Sequence, residues 1–285
     1  MTLKISLAEY LADPCPEPSL SSGIAHMILS QSPYHAWANH PKLGNMVARE
    51  ATNESDIGTI AHQILLEGTD ANVVVVDAKD WRTKAAQEAR DAAREQGKPA
   101  ILAHKRKHLD AMLEEAHKAI RASEFAVAFE ASPREETILW QQGETWCRAR
   151  LDVNASATGV ILDYKTTAMS AQPEAWAKSY LPGGGAMQAA HYRQAARSQG
   201  HPLLPKFVFI VQEQTPPYAV SFVGMDPAWQ DLADRQWAAA FTLWASCLRS
   251  GKWPAYGTRT AWVSPPAWHL ARWEEQEINL LELPA

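Results

Sequence analysis

Cysteine is scarce in this chain of 285 residues: Cys15, Cys147 and Cys247 are the only three. They stand too far apart for a disulfide framework or for the paired spacing of a zinc or iron–sulfur site. A reducing cytosol is their natural setting. No apolar run approaches the ~18 residues of a membrane span, so a membrane partner is not expected. Met1 to Tyr10 is amphipathic and has no apolar stretch leading to a cleavage site, so no secretory leader is expected. A basic surplus is missing too, with a formal net charge of −5. Passive, non-specific nucleic-acid binders usually carry cations to displace counterions, so that class is disfavoured. An enzyme holding metal on acidic ligands is not excluded, because the bound cation restores positive potential where a phosphate would sit. Internal repeats and low-complexity segments are absent.

What remains is an ordinary globular composition and enough chain for a sizeable core, read as one domain with elaborations. Three stretches are expected within it: a mainly helical arm at 1–130, a sheet core at 131–225, and a helix with a Trp- and Pro-rich tail at 226–285. Helical spacing marks Ser22 to Ser30, Tyr34 to Asn39 behind the Ser32-Pro33 start signal, and Asp56 to Glu67, stopped by Gly68. Val73 to Val76 is a short buried strand or extended segment. Trp81 to Glu95 and Ile101 to Ala122 read as two helices of good helix formers. The character then turns to β: Glu136 to Gln141, Thr145 to Val153 and Val160 to Thr166, with Gly143 in the first turn. Helices follow at Pro173 to Ser179 and Met187 to Ser198, on either side of Gly183-Gly184-Gly185. A hairpin of Lys206 to Glu213 and Tyr218 to Val223 comes next, then a long helix from Pro227 to Leu248. The tail from Gly251 onward is expected to wrap the surface. This order implies an α/β sandwich around a mixed sheet.

Chemistry concentrates at Asp152 and at Asp163-Tyr164-Lys165. Side chains alternate along a strand, so Asp163 and Lys165 share a face. The polar loop 154–159 has turn composition and folds the preceding strand back antiparallel, which lets the two carboxylates meet. Aspartate is depleted inside strands, and two of them among apolar neighbours need a reason. Two carboxylates beside an ammonium suit a hard divalent cation and a phosphate. Lys165 would then orient the attacking water or stabilise charge on the transferring group.

Other residues are weaker candidates. Gln188 and Tyr192 lie four apart on one helix face; a solvent-facing pair is the plain alternative. His62 on an apolar helix is more often a satisfied core histidine, yet a neutral imidazole can also bind metal or touch phosphate. Glu136 begins a strand in phase with Ile138 and Trp140 and offers a further carboxylate, with Glu135 as its rival. Arg148 and Arg150 share the face of Asp152; they either hold phosphate or form a cross-strand ion pair. The basic run 104–108 is a place for DNA-backbone contacts or simply a solvated helix face. The twelve tryptophans are more often core than base-stacking platforms.

Taken together these residues resemble the PD-(D/E)xK nuclease superfamily. Within it the chain looks like the RecB-like exonucleases, and most like the exodeoxyribonuclease VIII (RecE-like) nuclease domain of phages and prophages. The resemblance runs over about residues 20 to 225. It rests on an ordered set: Ser30-Gln31-Ser32-Pro33, Gly58-Thr59-Ile60-Ala61-His62, Glu136, Arg150-Leu151-Asp152, Asp163-Tyr164-Lys165-Thr166-Thr167 and Gln188-Ala189-Ala190-His191-Tyr192. Leu151 departs from the proline of the superfamily's name.

The resemblance implies a restriction-endonuclease-like core with a central mixed sheet, flanking helices and a helical N-terminal arm. It implies that Asp152 and Asp163 ligate Mg²⁺ or Mn²⁺, joined by His62, Glu136 and the Tyr164 backbone carbonyl. Lys165 would position the nucleophilic water, and Gln188 would orient the lysine or contact DNA. Arg148, Arg150, Gln188 and Tyr192 are the expected DNA-binding set. The implied substrate is linear duplex DNA cut from an end in phage-type recombination, in a bacterial or phage-encoded cytoplasmic protein. A single-strand annealing partner and a homo-oligomeric ring are implied with it. Two rival readings stand beside this one: a structure-specific or single-strand endonuclease of the same superfamily, and a catalytically silent DNA-binding protein.

Overall fold

The computed structural model describes residues 1–44, 53–70, 73–200 and 204–281. The chain opens with β1 (Thr2–Leu3), α1 (Leu7–Leu11), α2 (Ser22–Ser30), α3 (Pro33–Asn39) and α4 (Asn53–Glu67). Next come β2 (Val74–Val76), α5 (Lys84–Glu95), β3 (Ala100–Leu102), α6 (Ala103–Ala122) and α7 (Ala126–Ala131). The central part holds β4 (Arg134–Gln142), β5 (Thr145–Val153), β6 (Val160–Thr167), α8 (Pro173–Tyr180) and α9 (Ala186–Ser198). It closes with β7 (Lys206–Glu213), β8 (Val220–Gly224), α10 (Pro227–Ser250) and α11 (Ala267–Leu281).

Six strands form one sheet in the order β1-β4-β5-β6-β7-β8, and β2 and β3 make a separate parallel pair. All neighbours in the large sheet are antiparallel except β6 and β7, which run parallel from Val160–Lys206 to Thr167–Glu213. A parallel pair needs a crossover, and α8 and α9 supply it. Both faces are covered. One carries Ile138, Trp140, Leu151, Phe207 and Phe209 and packs on α2, α9 and α10. The other carries Val153, Leu162, Tyr164 and Ile210 and packs on α4 and α6. This is the expected α/β sandwich with a mixed central sheet.

Start signals in the sequence do what their chemistry requires. Ser21 caps α2 by accepting the Ile24 N–H, Ser32 caps α3 by accepting the His35 N–H, and Asp226 caps α10 by accepting the Trp229 N–H. Pro33 and Pro227 occupy the first turns of α3 and α10, where a missing N–H costs nothing.

The β5–β6 ladder matters most for function. It consists of one residue pair, Val153 with Leu162. Next to it the Asp152 carboxylate accepts the backbone N–H of Tyr164 at 2.8 Å. A side chain therefore takes over a ladder position, and that turns Asp152 toward β6.

Three expectations need correcting. The arm contributes β1, which pairs antiparallel with β4 through Thr2–Ile138 and Leu3–Thr137; a two-residue strand has no periodicity to read. The tail is not wholly irregular, because α11 forms within it behind Pro266. The chain, read as one domain with three stretches, divides instead into a compact unit from Met1 to Pro254 and a second from Ala255 to Ala285. In that second unit Trp262, Trp268 and Trp273 are exposed, so these tryptophans are not core. Tail residues 282–285 lie outside the described range. No described helix is long and apolar enough to cross a membrane, and all three cysteines are free and buried.

Candidate active site

Four elements bring acid groups to one point. Strand β5 supplies Asp152, β6 supplies Asp163 and Lys165, β4 supplies Glu135, and α4 supplies His62. Asp163 is wholly buried. Its Oδ2 forms an ion pair with the Lys165 ammonium, and its Oδ1 accepts a hydrogen bond from Gln188 Nε2 at 2.7 Å. His62 bridges the other two carboxylates, with Nε2 at 3.0 Å from Asp152 Oδ2 and Nδ1 at 3.4 Å from Glu135 Oε1. The expected alternation of Asp163 and Lys165 corresponds to this geometry, and the Gln188 amide bonds Asp163 rather than the lysine it was expected to orient.

α4 can reach the sheet because Gly58 has no side chain. A Cβ there would lie 2.8 Å from Thr166 Oγ1. His62 follows Gly58 by four residues and so lies on the same helix face. Close approach of one turn carries the imidazole of the next onto the carboxylates.

The charges are mutually coupled. Burial raises the pKa of Asp163, the Asp152 charge raises it further and Lys165 pulls it back, leaving it at about 7. Burial also pushes Asp152 upward, but His62, Lys165 and the Tyr164 N–H outweigh it and the carboxyl is held low. Glu135 is raised by burial and by the Asp152 charge. Burial disfavours the His62 cation, yet the Asp152 and Glu135 charges lift it to about 9. Burial likewise opposes the Lys165 charge, and Asp163 and Asp152 reverse that and drive its pKa up. Two of the three buried carboxylates, Asp163 and Glu135, are pushed toward their protonated forms, which a further positive charge would relieve.

A divalent cation supplies such a charge. Single donor atoms of His62, Glu135 and Asp152 lie within 4.8 Å of one another. Oε1 of Glu135 is buried and accepts no hydrogen bond. Carboxylate oxygens with one imidazole are hard-cation ligands.

Glu135, not the expected Glu136, sits here. Glu136 turns away and accepts a hydrogen bond from the Asn154 side chain. Register gives the reason. Gln142 pairs with Thr145 across the turn, and Glu136 pairs with Leu151, so Glu135 stands opposite Asp152. Directly opposed residues of an antiparallel pair share a face. The Gly143-Glu144 turn in the sequence fixes that register, so the signal was there. Glu135 also has φ 55°, a left-handed backbone uncommon outside glycine.

The expected DNA-binding set divides. Arg148 is 4% exposed. Its Nη1 donates to Ser19 O at 2.9 Å and lies 3.1 Å from Asp13 Oδ2, so it ties the N-terminal arm to β5. No exposed group is left for a DNA contact. Arg150 takes the cross-strand alternative, with Nε at 2.5 Å from Glu135 Oε2. Tyr192 is buried with its ring against Phe207 at 5.9 Å, and there too the expected DNA contact has no surface to act from. Of the four, Gln188 borders Asp163 and Arg150 borders Glu135, and Arg148 and Tyr192 lie away from the centre. The Tyr164 side chain points into the other layer, where its hydroxyl donates to Gln212 Oε1 at 2.6 Å.

Sequence comparison completes the picture. Residues 29–262 match the PD-(D/E)XK nuclease superfamily. The chain belongs to that superfamily. Its nucleases act on DNA with divalent metal ions, and among the described residues His62, Glu135 and Asp152 form a group that could hold one. A search of curated proteins finds no match. Among solved structures the chain is similar to a Eubacterium rectale protein that bears a provisional exonuclease name, at 10% identity and TM-score 0.56, over 94% of this chain and 98% of that one. At that identity the likeness concerns the fold, which is the restriction-endonuclease-like α/β core.

Proposed function

We propose that this PD-(D/E)XK nuclease is a Mg²⁺- or Mn²⁺-dependent exonuclease that hydrolyses linear double-stranded DNA from an end. The observation that carries the proposal is the convergence of Asp152, Asp163 and Glu135 beside Lys165. Asp152, Asp163 and Glu135 would hold the metal with His62 and the Tyr164 carbonyl. When bound, the ion supplies Lewis acidity to a phosphate oxygen and lowers the pKa of a water. Gln188 and Lys165 fix the Asp163 carboxylate from two sides. Lys165, held cationic, orients the attacking water or balances charge that grows on the phosphate. Attack by water needs no covalent protein intermediate, which agrees with a centre built from carboxylates, imidazole and amine. The choice of exonuclease over endonuclease leans on the resemblance to RecE-like domains, and the provisional name of the E. rectale protein points the same way. A cytoplasmic setting, a role in phage-type recombination, a single-strand annealing partner and a ring of copies belong to the same reading.

The test uses linear duplex labelled on either strand and a covalently closed circle, each with Mg²⁺, Mn²⁺ or EDTA. Wild type should shorten the linear duplex from its ends, spare the circle and stop in EDTA. Lys165→Ala and Asp163→Asn should each lose at least about a hundredfold in rate with unchanged circular dichroism. Cutting of the circle would establish the endonuclease, and full activity of either variant would remove the assigned centre.

A further inference from the structure

A small cavity adjoins the carboxylates and shares Gln188 with them. It has a volume of about 200 Å³ and is walled by α2, by Tyr180 and by the glycine run between α8 and α9. That is below the ~300 Å³ at which drug-sized ligand pockets begin, and it leaves room for one ring system.

The walls are made to stay open. Tyr180 stacks on Trp176 at 4.3 Å and meets Phe209 edge-on at 5.5 Å, so its ring is fixed. Its hydroxyl lies 3.4 Å from Gln188 Oε1. A Cβ at Gly185 would lie 2.5 Å from the Tyr180 ring, and one at Gly184 would lie 3.3 Å from the His26 ring. Gly184 has φ 122°, which side chains rarely tolerate. Glycine is therefore required along this wall for both rings to approach. His26 is half-buried at the rim, and among the described residues no hydrogen bond reaches its ring nitrogens. At the rim its ring nitrogens are open to solvent and free to bond an incoming ligand.

The chemistry of the lining selects the partner. No lysine or arginine lines the cavity, and of its groups only the Ser22 hydroxyl and the first-turn amides of α2 suit an anion. It offers a flat imidazole, a phenol, an amide and glycine backbone. These are the groups that hold a neutral, planar heterocycle with donors and acceptors on its edge. Gln188 touches both this cavity and Asp163, which puts such a heterocycle next to a phosphate bound at the carboxylates. We propose that the cavity receives one nucleobase of the strand being cut, unpaired from its complement and lying beside the scissile phosphate. This rests on the nuclease reading given above. A duplex end would have to open by at least one pair to fill the pocket, so chain ends and mismatched positions are favoured over intact internal duplex.

The experiment walks a single abasic residue through the first nucleotides of an otherwise intact linear duplex. Rates are compared for wild type, His26→Ala and Gly23→Leu. Gly23 lies on the cavity wall, and a Cβ there meets nothing within 4 Å, so a side chain can start from this position to crowd the cavity. Wild type should slow about tenfold at one abasic position only, which is the expected size of one lost base–aromatic contact. Both variants should slow by a similar factor on intact duplex and lose nothing further on the abasic one. Equal wild-type rates on both substrates would overturn the base pocket, and so would losses that multiply in the variants. If Gly23→Leu does not fold, His26→Ala alone decides. Failure of the nuclease reading looks different: no substrate is cut by any protein with either metal.

Discussion

At the scale of single residues, the adjacent pair Glu135 and Glu136 shows how one step along a strand separates two fates. Glu135 lies opposite Asp152 and within reach of His62, while Glu136 lies opposite Leu151 and bonds Asn154. The prediction is asymmetric. Glu135→Gln should lower the metal-dependent rate by about a hundredfold or more, as loss of a preorganised charged group does. Glu136→Gln should stay within about threefold, since a change without contact to the centre leaves the transition state alone. Steady-state rates on one linear duplex settle it, and equal losses would mean that strand register does not choose the ligand. Asp152, Asp163 and Lys165 were legible from residue types and strand alternation, whereas His62 and Gln188, weak candidates by themselves, entered through the family resemblance and stand beside them. Arg148 and Tyr192 were misplaced because a side chain's strand parity or helix face does not tell whether another layer covers it. Arg148 is taken up by Asp13 and Ser19, which come from a segment with no periodicity to announce it. Asp13 itself is drawn toward neutrality by burial, yet His40, Arg148 and Ser19 hold its carboxyl well below the usual range, so this arm contact is ionic.

At the scale of elements, two contacts can be tested separately. The first is the approach of α4 to β6. Gly58→Ala would place a methyl 2.8 Å from Thr166 Oγ1, and the helix must lift or Thr166 must rotate away from Gln214, which it now accepts from at 2.9 Å. A shift of about 1 Å in a catalytic group costs up to a hundredfold. Gly58→Ala should therefore cut activity far more than it changes stability, and Thr166→Ala in the same chain should restore most of it. Failure of that rescue would argue against helix approach as the cause. The second contact is His191 on α9, wholly buried. Its Nε2 donates to Arg148 O at 2.9 Å and its Nδ1 accepts from Trp237 Nε1 at 2.9 Å, so the ring is neutral. Burial lowers its pKa from 6.5 to about 4. Below pH 6.5 the unfolded chain takes up a proton that the folded one refuses down to about 4, so stability falls as pH drops through that window. The full loss is on the order of 3 kcal/mol. Denaturant unfolding at pH 7.5 and 5 should show a steeper fall for wild type than for His191→Gln, which keeps a neutral donor and acceptor there. Parallel slopes would place the acid sensitivity elsewhere. Long periodic elements such as α6, α10 and the β4–β5 hairpin were legible in sequence. Short ones were not: β1 exists only by pairing with β4, and α7 is six residues held between α6 and β4.

At the scale of the molecule, the net charge of −5 is accompanied by a local concentration of acid groups. Folding gathers Asp152, Asp163 and Glu135 against their repulsion, and among the described residues His62, Lys165 and Arg150 oppose it from within. A sequence cannot display that cost, because it arises when three consecutive strands meet a helix from a distant part of the chain. The metal-free protein should accordingly be less stable than its core allows. Asp163→Asn, which removes one of the three carboxylates, should raise the melting temperature without metal while it abolishes cutting, the trade expected when a site is held under strain for function. Wild type should respond to the cation instead. An ion at a hundred times its dissociation constant adds about 2.7 kcal/mol to the folded state, or roughly 5–10 °C for a chain of this size class. Melting in EDTA, Mg²⁺ and Mn²⁺ should therefore rise steeply for wild type and weakly for Asp163→Asn. The two proteins should differ in EDTA in the opposite sense to their order in Mn²⁺. A shift of equal size in both would mean that the cation binds somewhere other than these carboxylates, and the charge imbalance would then need another partner.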